Sequence, residues 1–316
     1  MKDTMYAQVI RSFGGPEVFT LEKVPLPQPD PEEILVQTVS TSFNPADALA
    51  RAGKFGRLVT LEDYRILGLD LAGYVAAVGS GVTQFRVGDA IFASLDIKRH
   101  GSYAQYVTLK AKDACIAPRN LPLEDVGTIP LTALTAYQGI LDLGSLQSGQ
   151  RVLIHGASGG VGLYAVQLAL AQGAEVLATT SLRGKPRLGD FPVSQTIVYD
   201  EEDLVSAVES PVDLIYNLAP LTKDALPRLL GLLRDEGKFV STTGIPDLPE
   251  NHPRGLEIIA ENAKRGGERL ALIKNLLEEK KLRPVISAVY RLEDIPLIHT
   301  LHEEHRLQGK VCILLD

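Results

Sequence analysis

The sequence predicts a mixed α/β protein made of two kinds of domain: a small β-barrel or sandwich, and a doubly wound parallel sheet flanked by helices. Three observations carry this. Residues 1 to about 125 are short β-prone runs cut by turn-formers, the chain from about 127 alternates apolar strand with helix, and a glycine-rich turn joins the first of those strands to its helix. A length of 316 residues corresponds to two domains at roughly 150 residues each.

In the first part the β-prone runs are Tyr6–Ile10, Ile34–Val39, Tyr74–Val78 and Ala90–Ala93. They are separated by Gly14-Gly15-Pro16, Pro25 through Pro31, Gly79-Ser80-Gly81 and Gly88-Asp89, and such closely spaced turns suit a barrel or sandwich. In the second part Arg151–Ile154 reads as a buried strand, Val161–Ala171 as an amphipathic helix, and Glu175–Thr180, Val212–Tyr216 and Lys238–Thr242 as further strands. The tail adds a charged helix around Glu268–Lys281, then Val285–Val289 and a closing strand Val311–Leu314.

Composition removes several classes. With 32 basic and 39 acidic side chains the formal charge is −7, and no basic block offsets it, so nucleic acid and anionic membrane surfaces are poor partners. An apolar fraction of 45% and a charged fraction of 22% suit a globular chain. Cys115 and Cys312 are too few for a disulfide framework or a four-thiolate zinc site. The first five residues include Asp3 and no apolar core, which is unlike a signal peptide, and no apolar run approaches the ~18 residues of a membrane helix. The expectation is a cytoplasmic protein.

The most informative stretch runs from Val152 to Gly162, where Gly156, Gly159 and Gly162 stand at i, i+3 and i+6 between a strand and a helix. A tight turn there lets backbone N–H groups and the positive helix end meet a pyrophosphate, which makes Gly156, Ser158, Gly159, Gly160 and Val161 candidate cofactor contacts. A glycine turn without ligand is the alternative. No Gly-Lys-Ser/Thr follows, so a P-loop is excluded.

The end of the second strand bears on which dinucleotide binds. An NAD site usually has a carboxylate there, accepting from the ribose 2′-hydroxyl. Here Thr179 through Arg187 contains hydroxyls and cations, with no acid before Asp190. That predicts NADP(H), with Ser181, Arg183 and Lys185 binding the 2′-phosphate through charge-assisted hydrogen bonds; a solvated basic loop is the alternative.

Further segments point to a family. They are Phe43-Asn44-Pro45-Ala46-Asp47, Gly68-Leu69-Asp70-Leu71-Ala72-Gly73, Val78-Gly79 with Val87-Gly88-Asp89, Gly101-Ser102-Tyr103-Ala104, Leu134-Thr135-Ala136-Tyr137, the glycine turn, and Lys281-Leu282-Arg283-Pro284. In this order the chain resembles, over essentially its whole length, the zinc-independent quinone oxidoreductase (zeta-crystallin-like) family of the medium-chain dehydrogenase/reductase superfamily. The resemblance implies a GroES-like β-barrel catalytic domain over 1–126, a Rossmann NADP-binding domain over 127–265, and a return to the catalytic domain over 266–316, with the active site between them. Zinc relatives have a cysteine at Asn44 and Gly-His-Glu at Gly68-Leu69-Asp70, and a four-cysteine lobe where this chain has only Ala90 through His100. An amide and a leucine cannot supply the N/S ligands zinc prefers, so no metal is expected. The steps of three between His299, His302 and His305 suit a surface helix better than a metal cluster. Tyr106 and Lys110 have the Tyr-x-x-x-Lys spacing of short-chain dehydrogenases, but they lie upstream of the nucleotide motif in a β-prone run, so chance explains them.

Without zinc, the accessible reaction is hydride transfer from NADPH to a conjugated acceptor, whose oxyanion product is delocalised and needs only orientation and hydrogen bonding. The resemblance places Thr135, Asn217 and the turn Thr242-Thr243-Gly244 around the nicotinamide and its ribose, and Tyr199 is also counted as a cofactor contact. Asn44 is the candidate donor to the substrate carbonyl; the alternative is an Asn-Pro turn that fixes only its own backbone. Thr132 is a second polar candidate. Leu49 replaces a tyrosine that several relatives carry, suggesting a more apolar pocket, and Tyr64 reads as a core residue. The leading expectation is an NADPH-dependent reductase of quinones or α,β-unsaturated carbonyls. Reduction of 2-enoyl thioesters and a non-catalytic NADPH-binding structural or sensor role are the alternatives. A homodimer is expected from the resemblance, with Lys238–Thr242 as a pairing edge.

Overall fold

The computed structural model describes residues 3–61, 63–245, 254–260 and 264–315. The chain divides into two compact units. The first comprises Met1–Leu131, Arg265–Glu279 and Pro284–Asp316; the second comprises Thr132–Lys264 and Lys280–Arg283.

The first unit is built from two sheets. Thr4–Ile10 lies between Phe19–Pro25 and Arg65–Ile66, all antiparallel. The larger sheet runs Ile286–Arg291, Lys310–Leu314, Glu33–Ser42, Asp70–Val78, Ala90–Ser94, Ala114–Ile116, with Tyr106–Lys110 paired to the start of Glu33–Ser42. Apolar residues of the first sheet, Met5, Val9, Ile10 and Phe19, pack with Phe43, Tyr103, Ile295, Ile298 and Ile313 into one core. The strand-and-turn reading of the sequence is the GroES-like architecture found here. Tyr106 and Lys110 are the two ends of an extended strand, not neighbours on a helix.

Gly68 sets the entry to Asp70. Its φ is +103°, and a Cβ there would stand 2.6 Å from the Tyr103 ring and 2.7 Å from Ser102 Oγ. The chain can therefore lie against Gly101–Tyr103, whose N–H groups bond Ile66 O, Gly68 O and Leu67 O at 2.9 to 3.1 Å.

The second unit is a six-stranded, all-parallel sheet of order Gln195–Val198, Glu175–Thr180, Arg151–His155, Val212–Asn217, Leu233–Ser241, Glu257–Ala260. This is a Rossmann sheet. The chain starts in the middle, builds one way and then the other, so the order reverses between Arg151–His155 and Val212–Asn217. Ligands of such sheets bind at the carboxyl ends beside that reversal.

Three expectations change. The helix Gly160–Ala171 is not amphipathic: Gly162 through Ala169 are all buried, because it packs into the unit on every side, and its one central polar side chain, Gln167, bonds Leu163 O and Arg283 O. Lys238–Thr242 is not an edge, because Glu257–Ala260 pairs outside it. The helix Ile295–Glu303 holds His299 and His302, but His299 is fully buried among Phe19, Phe43 and Tyr103, and only His305, past the helix end, is exposed. Burial in this aromatic box pushes the His299 imidazole down to about 2, so it is neutral. Tyr64 is half-buried, packs against the first unit's core, and stacks on His100 at 5.2 Å. Among the described residues, no helix is long and apolar enough to cross a membrane.

Strain and clash at Gly68 give a first expected outcome. Gly68→Ala, at a cost of about 1–3 kcal/mol, lowers Tm by at least about 2 °C in a thermal melt. An unchanged Tm would show that the segment before Asp70 is not constrained in this way.

Candidate active site

In the second unit the glycine turn follows Arg151–His155 directly. Gly156 takes φ +91° and donates its N–H to Thr179 Oγ1 at 3.0 Å, and Thr179 Oγ1 also meets His155 Nδ1 at 2.9 Å. Burial lowers the His155 imidazole below its ordinary value. Gly159 caps the helix in extended conformation, so Gly160 and Val161 open its first turn. A Cβ at Gly162 would stand 2.4 Å from Gly156 O and 2.5 Å from Ala157 O, so only glycine lets helix and turn come this close.

The loop after Glu175–Thr180 folds back onto this turn. Thr180 Oγ1 donates to Ser158 Oγ at 2.8 Å, Gly184 donates its N–H to Ser181 Oγ at 3.1 Å, and Arg187 Nε donates to Ser158 O at 3.0 Å. Burial, and then the like charge of Arg183, lowers the Arg187 guanidinium's hold on its proton. Arg183 and Lys185 are exposed. The carboxylate of Asp200 accepts the N–H of Leu182 at 2.5 Å, and Asp190 accepts from Arg283 at 3.3 Å. Tyr199 has an exposed ring, and its N–H bonds Thr180 O at 3.1 Å.

At the ends of the next two strands, Asn217 Nδ2 donates to Ser241 Oγ at 2.9 Å, Thr243 Oγ1 at 3.0 Å and Ala219 O at 2.9 Å. The amide oxygen, Oδ1, is buried and meets no donor among the described residues. Thr242 donates its N–H to Asn217 O at 3.1 Å, and Gly244 is exposed with open space around it. Thr135 O accepts from Tyr216 OH at 3.0 Å, in a helix that continues as a π-helical turn over Gln138–Leu143, and Thr132 is buried. Of the sequence-predicted residues of this unit, Ser158 and Ser181 are linked by hydrogen bonds at the glycine turn and its facing loop, and Asn217, Thr242 and Thr243 at the ends of the next two strands; Thr132, Arg183 and Lys185 are not tied into either cluster by a contact described here. Thr179, Thr180, Arg187 and Ser241 join the two clusters without having been singled out.

Asn44 lies in the first unit and sits in a buried polar cluster centred on Asp70. Asp70 is fully buried. Its Oδ1 accepts the Leu131 N–H at 2.7 Å, and its Oδ2 accepts Asn44 Nδ2 at 2.8 Å, Lys310 Nζ at 2.9 Å, and Ser42 Oγ. Lys310 Nζ also donates to Asn44 Oδ1 at 2.7 Å and to Phe43 O at 3.2 Å. The Asn44 side chain is therefore not spent on its own turn. That turn is closed by Asp47, whose carboxylate accepts the Asn44 N–H at 2.9 Å and Tyr103 OH at 3.2 Å. Burial pushes Asp47 up to about 7, against the pull of the Asn44 hydrogen bond. Leu49, two residues further on, is exposed.

This donor set does not fit zinc. Asn44 offers an amide oxygen already taken by an ammonium, the Leu69 side chain has no donor atom, and a lysine ammonium 2.7 Å from Asn44 repels a second cation. Among the described residues, no group of three or more His, Cys, Asp or Glu side chains could hold a metal ion.

Residues 30–119 match the alcohol dehydrogenase GroES-like domain, and residues 192–313 match the domain described as zinc-binding dehydrogenase. The chain is 30% identical to the quinone oxidoreductase of Lama guanicoe over 98% of both chains. It is 28% identical to the 2-methylene-furan-3-one reductase of Solanum lycopersicum, over 98% of this chain and 79% of that one. The solved quinone oxidoreductase of Coxiella burnetii superposes with a TM-score of 0.88 at 27% identity, covering 99% of this chain and 100% of that one. Fold and site define an oxidoreductase of the medium-chain dehydrogenase/reductase type, a class that works with a nicotinamide cofactor. Within that class, the chain belongs to the quinone oxidoreductase family.

The Asp47 carboxyl makes stability depend on pH. The folded protein keeps a proton on Asp47 that the unfolded chain releases near 3.8, so this group's contribution is full below pH about 4 and disappears as pH rises through about 7. Parent and Asp47→Asn, compared by thermal melts between those limits, should diverge, the parent losing more stability as pH rises. Parallel curves would show that Asp47 ionises normally.

Proposed function

We propose that the protein is a zinc-independent, NADPH-dependent reductase that transfers hydride to quinones or α,β-unsaturated carbonyls. The observation that carries the cofactor reading is the loop after the second strand, which holds no carboxylate from Thr179 to Arg187 and is tied to the glycine turn by Arg187 Nε on Ser158 O at 3.0 Å. A ribose 2′-phosphate would meet hydroxyl and cationic side chains there, where a carboxylate would repel it. The nearby acid, Asp200, is occupied by the Leu182 N–H. Ser181, Lys185 and Tyr199 complete this end of the site.

The residues present fit a dinucleotide. The Gly156–Val161 turn and the first N–H groups of Gly160–Ala171 suit a pyrophosphate, and the buried, unmatched Asn217 Oδ1 suits a donor from a ribose or carboxamide. Thr132, Thr135, Thr242, Thr243 and Gly244 line the remainder of this reading. When bound, NADPH supplies the hydride. What this chain adds is a hydrogen bond from the Asn44 amide to the acceptor's oxygen, strengthening as that oxygen becomes an enolate or phenolate. Leu49 contributes apolar surface for a hydrocarbon acceptor.

Steady-state kinetics test the reading. NADPH should show a KM at least tenfold below that of NADH, and Arg187→Ala should raise the NADPH KM by about 10–100-fold, the loss of one charge-assisted contact, with little effect on NADH. Equal KM values would remove the NADPH assignment. Quinone, enone and enoyl-thioester acceptors belong in the same panel. A more than tenfold preference for a thioester would displace the quinone and enone reading, and binding without turnover would point to a sensor.

A further inference from the structure

We propose that Lys310 is a positioning residue for hydride transfer: its buried ammonium fixes and polarises the Asn44 amide, which then donates to the oxyanion of the reduced acceptor. The inference rests on Asn44 being the substrate's donor. An ammonium has three N–H donors, and all three are used here, on Asn44 Oδ1, Asp70 Oδ2 and Phe43 O. Lys310 therefore has no donor left for a substrate and acts only through its neighbours.

The arrangement decides which way the amide faces. Oxygen and nitrogen of an asparagine amide have nearly the same shape, so packing alone cannot choose between the two orientations. Charge can. With Oδ1 on the Lys310 ammonium and Nδ2 on the Asp70 carboxylate, both contacts are attractive; the flipped amide would set N–H against ammonium and C=O against carboxylate. One N–H of Nδ2 goes to Asp70, and the other makes no bond to another described residue. A cation on the carbonyl oxygen also draws electron density from the amide nitrogen, which makes the remaining N–H a stronger donor in a site of low dielectric.

The ion pair can be tested by neutralising both partners together. Lys310 and Asp70 side chains are 5% and 0% exposed, and a buried pair of this kind can often be replaced by neutral groups without loss of stability. Sequence offers no hint of the contact, since 266 residues separate Lys310 from Asn44.

The test is a kinetic cycle on the full-length enzyme with NADPH and an enone. Asn44→Ala should lower kcat about 10²-fold, as removal of one oxyanion donor does elsewhere, with the NADPH KM unchanged. Lys310→Met should lower kcat comparably, and Asn44→Ala/Lys310→Met should be no slower than either single variant. Because Lys310→Met strands a buried carboxylate and can fail to fold, the neutral pair Lys310→Met/Asp70→Asn is made as well. It should recover Tm but not kcat, and Asp70→Asn alone, which keeps the ammonium on Asn44 Oδ1, should retain more kcat than the pair; equal kcat in the two would show that the lysine is purely structural. Multiplying losses in the double variant, or parental kcat in the neutral pair, would overturn the proposal. Parental kcat in Asn44→Ala alone would instead remove the reading of Asn44, and the proposal with it.

Discussion

A single carboxylate, that of Asp70, organises the first unit's polar interior. Burying an isolated carboxylate costs several kcal/mol, and the cost is offset only when its oxygens are fully engaged. Here four donors engage them: Ser42, Asn44, Lys310 and the Leu131 N–H. Those donors come from a strand end, the start of a helix, the final strand and the last residue of the unit's long first segment. One group therefore fastens together parts of the chain that are remote in sequence, and the orientation of Asn44 follows from it.

The second unit meets a different constraint. A parallel sheet that starts in the middle leaves its reversal point uncovered at the carboxyl ends, and side chains there must be satisfied locally or by a ligand. The chain does the first for Thr179, Thr180 and Ser241 through hydroxyl contacts. Among the described residues, Asn217 Oδ1 is buried there without a hydrogen-bond donor.

Much of this was legible in the sequence, for reasons that can be stated. The strands and the Gly156–Gly162 turn are local patterns in which apolar periodicity and glycine spacing directly reflect backbone geometry, and they appear within a few residues of their expected bounds. Other features depend on what a residue meets across the fold. Spacing placed His299 on a helix but could not show that this helix turns it into an aromatic box. Lys310 opens a strand as any surface lysine might, and only the antiparallel pairing of that strand, with Cys312 opposite Ser42, brings it to Asn44. The four residues Glu257–Ala260 are too short and too exposed to announce a strand, yet their pairing makes Leu233–Ser241 internal. Arg187 was visible as a charge, but its aim depends on the 3-10 turn Lys185–Leu188 bending it back to Ser158.

The Lys310 ammonium, 2.7 Å from Asn44 Oδ1, opposes a metal ion beside that amide. The most direct measurement is elemental analysis of purified, catalytically active enzyme, with its turnover assayed before and after exhaustive chelation. Zinc far below one per chain with turnover unchanged is the predicted result. One zinc per chain, lost together with turnover on chelation, would contradict it.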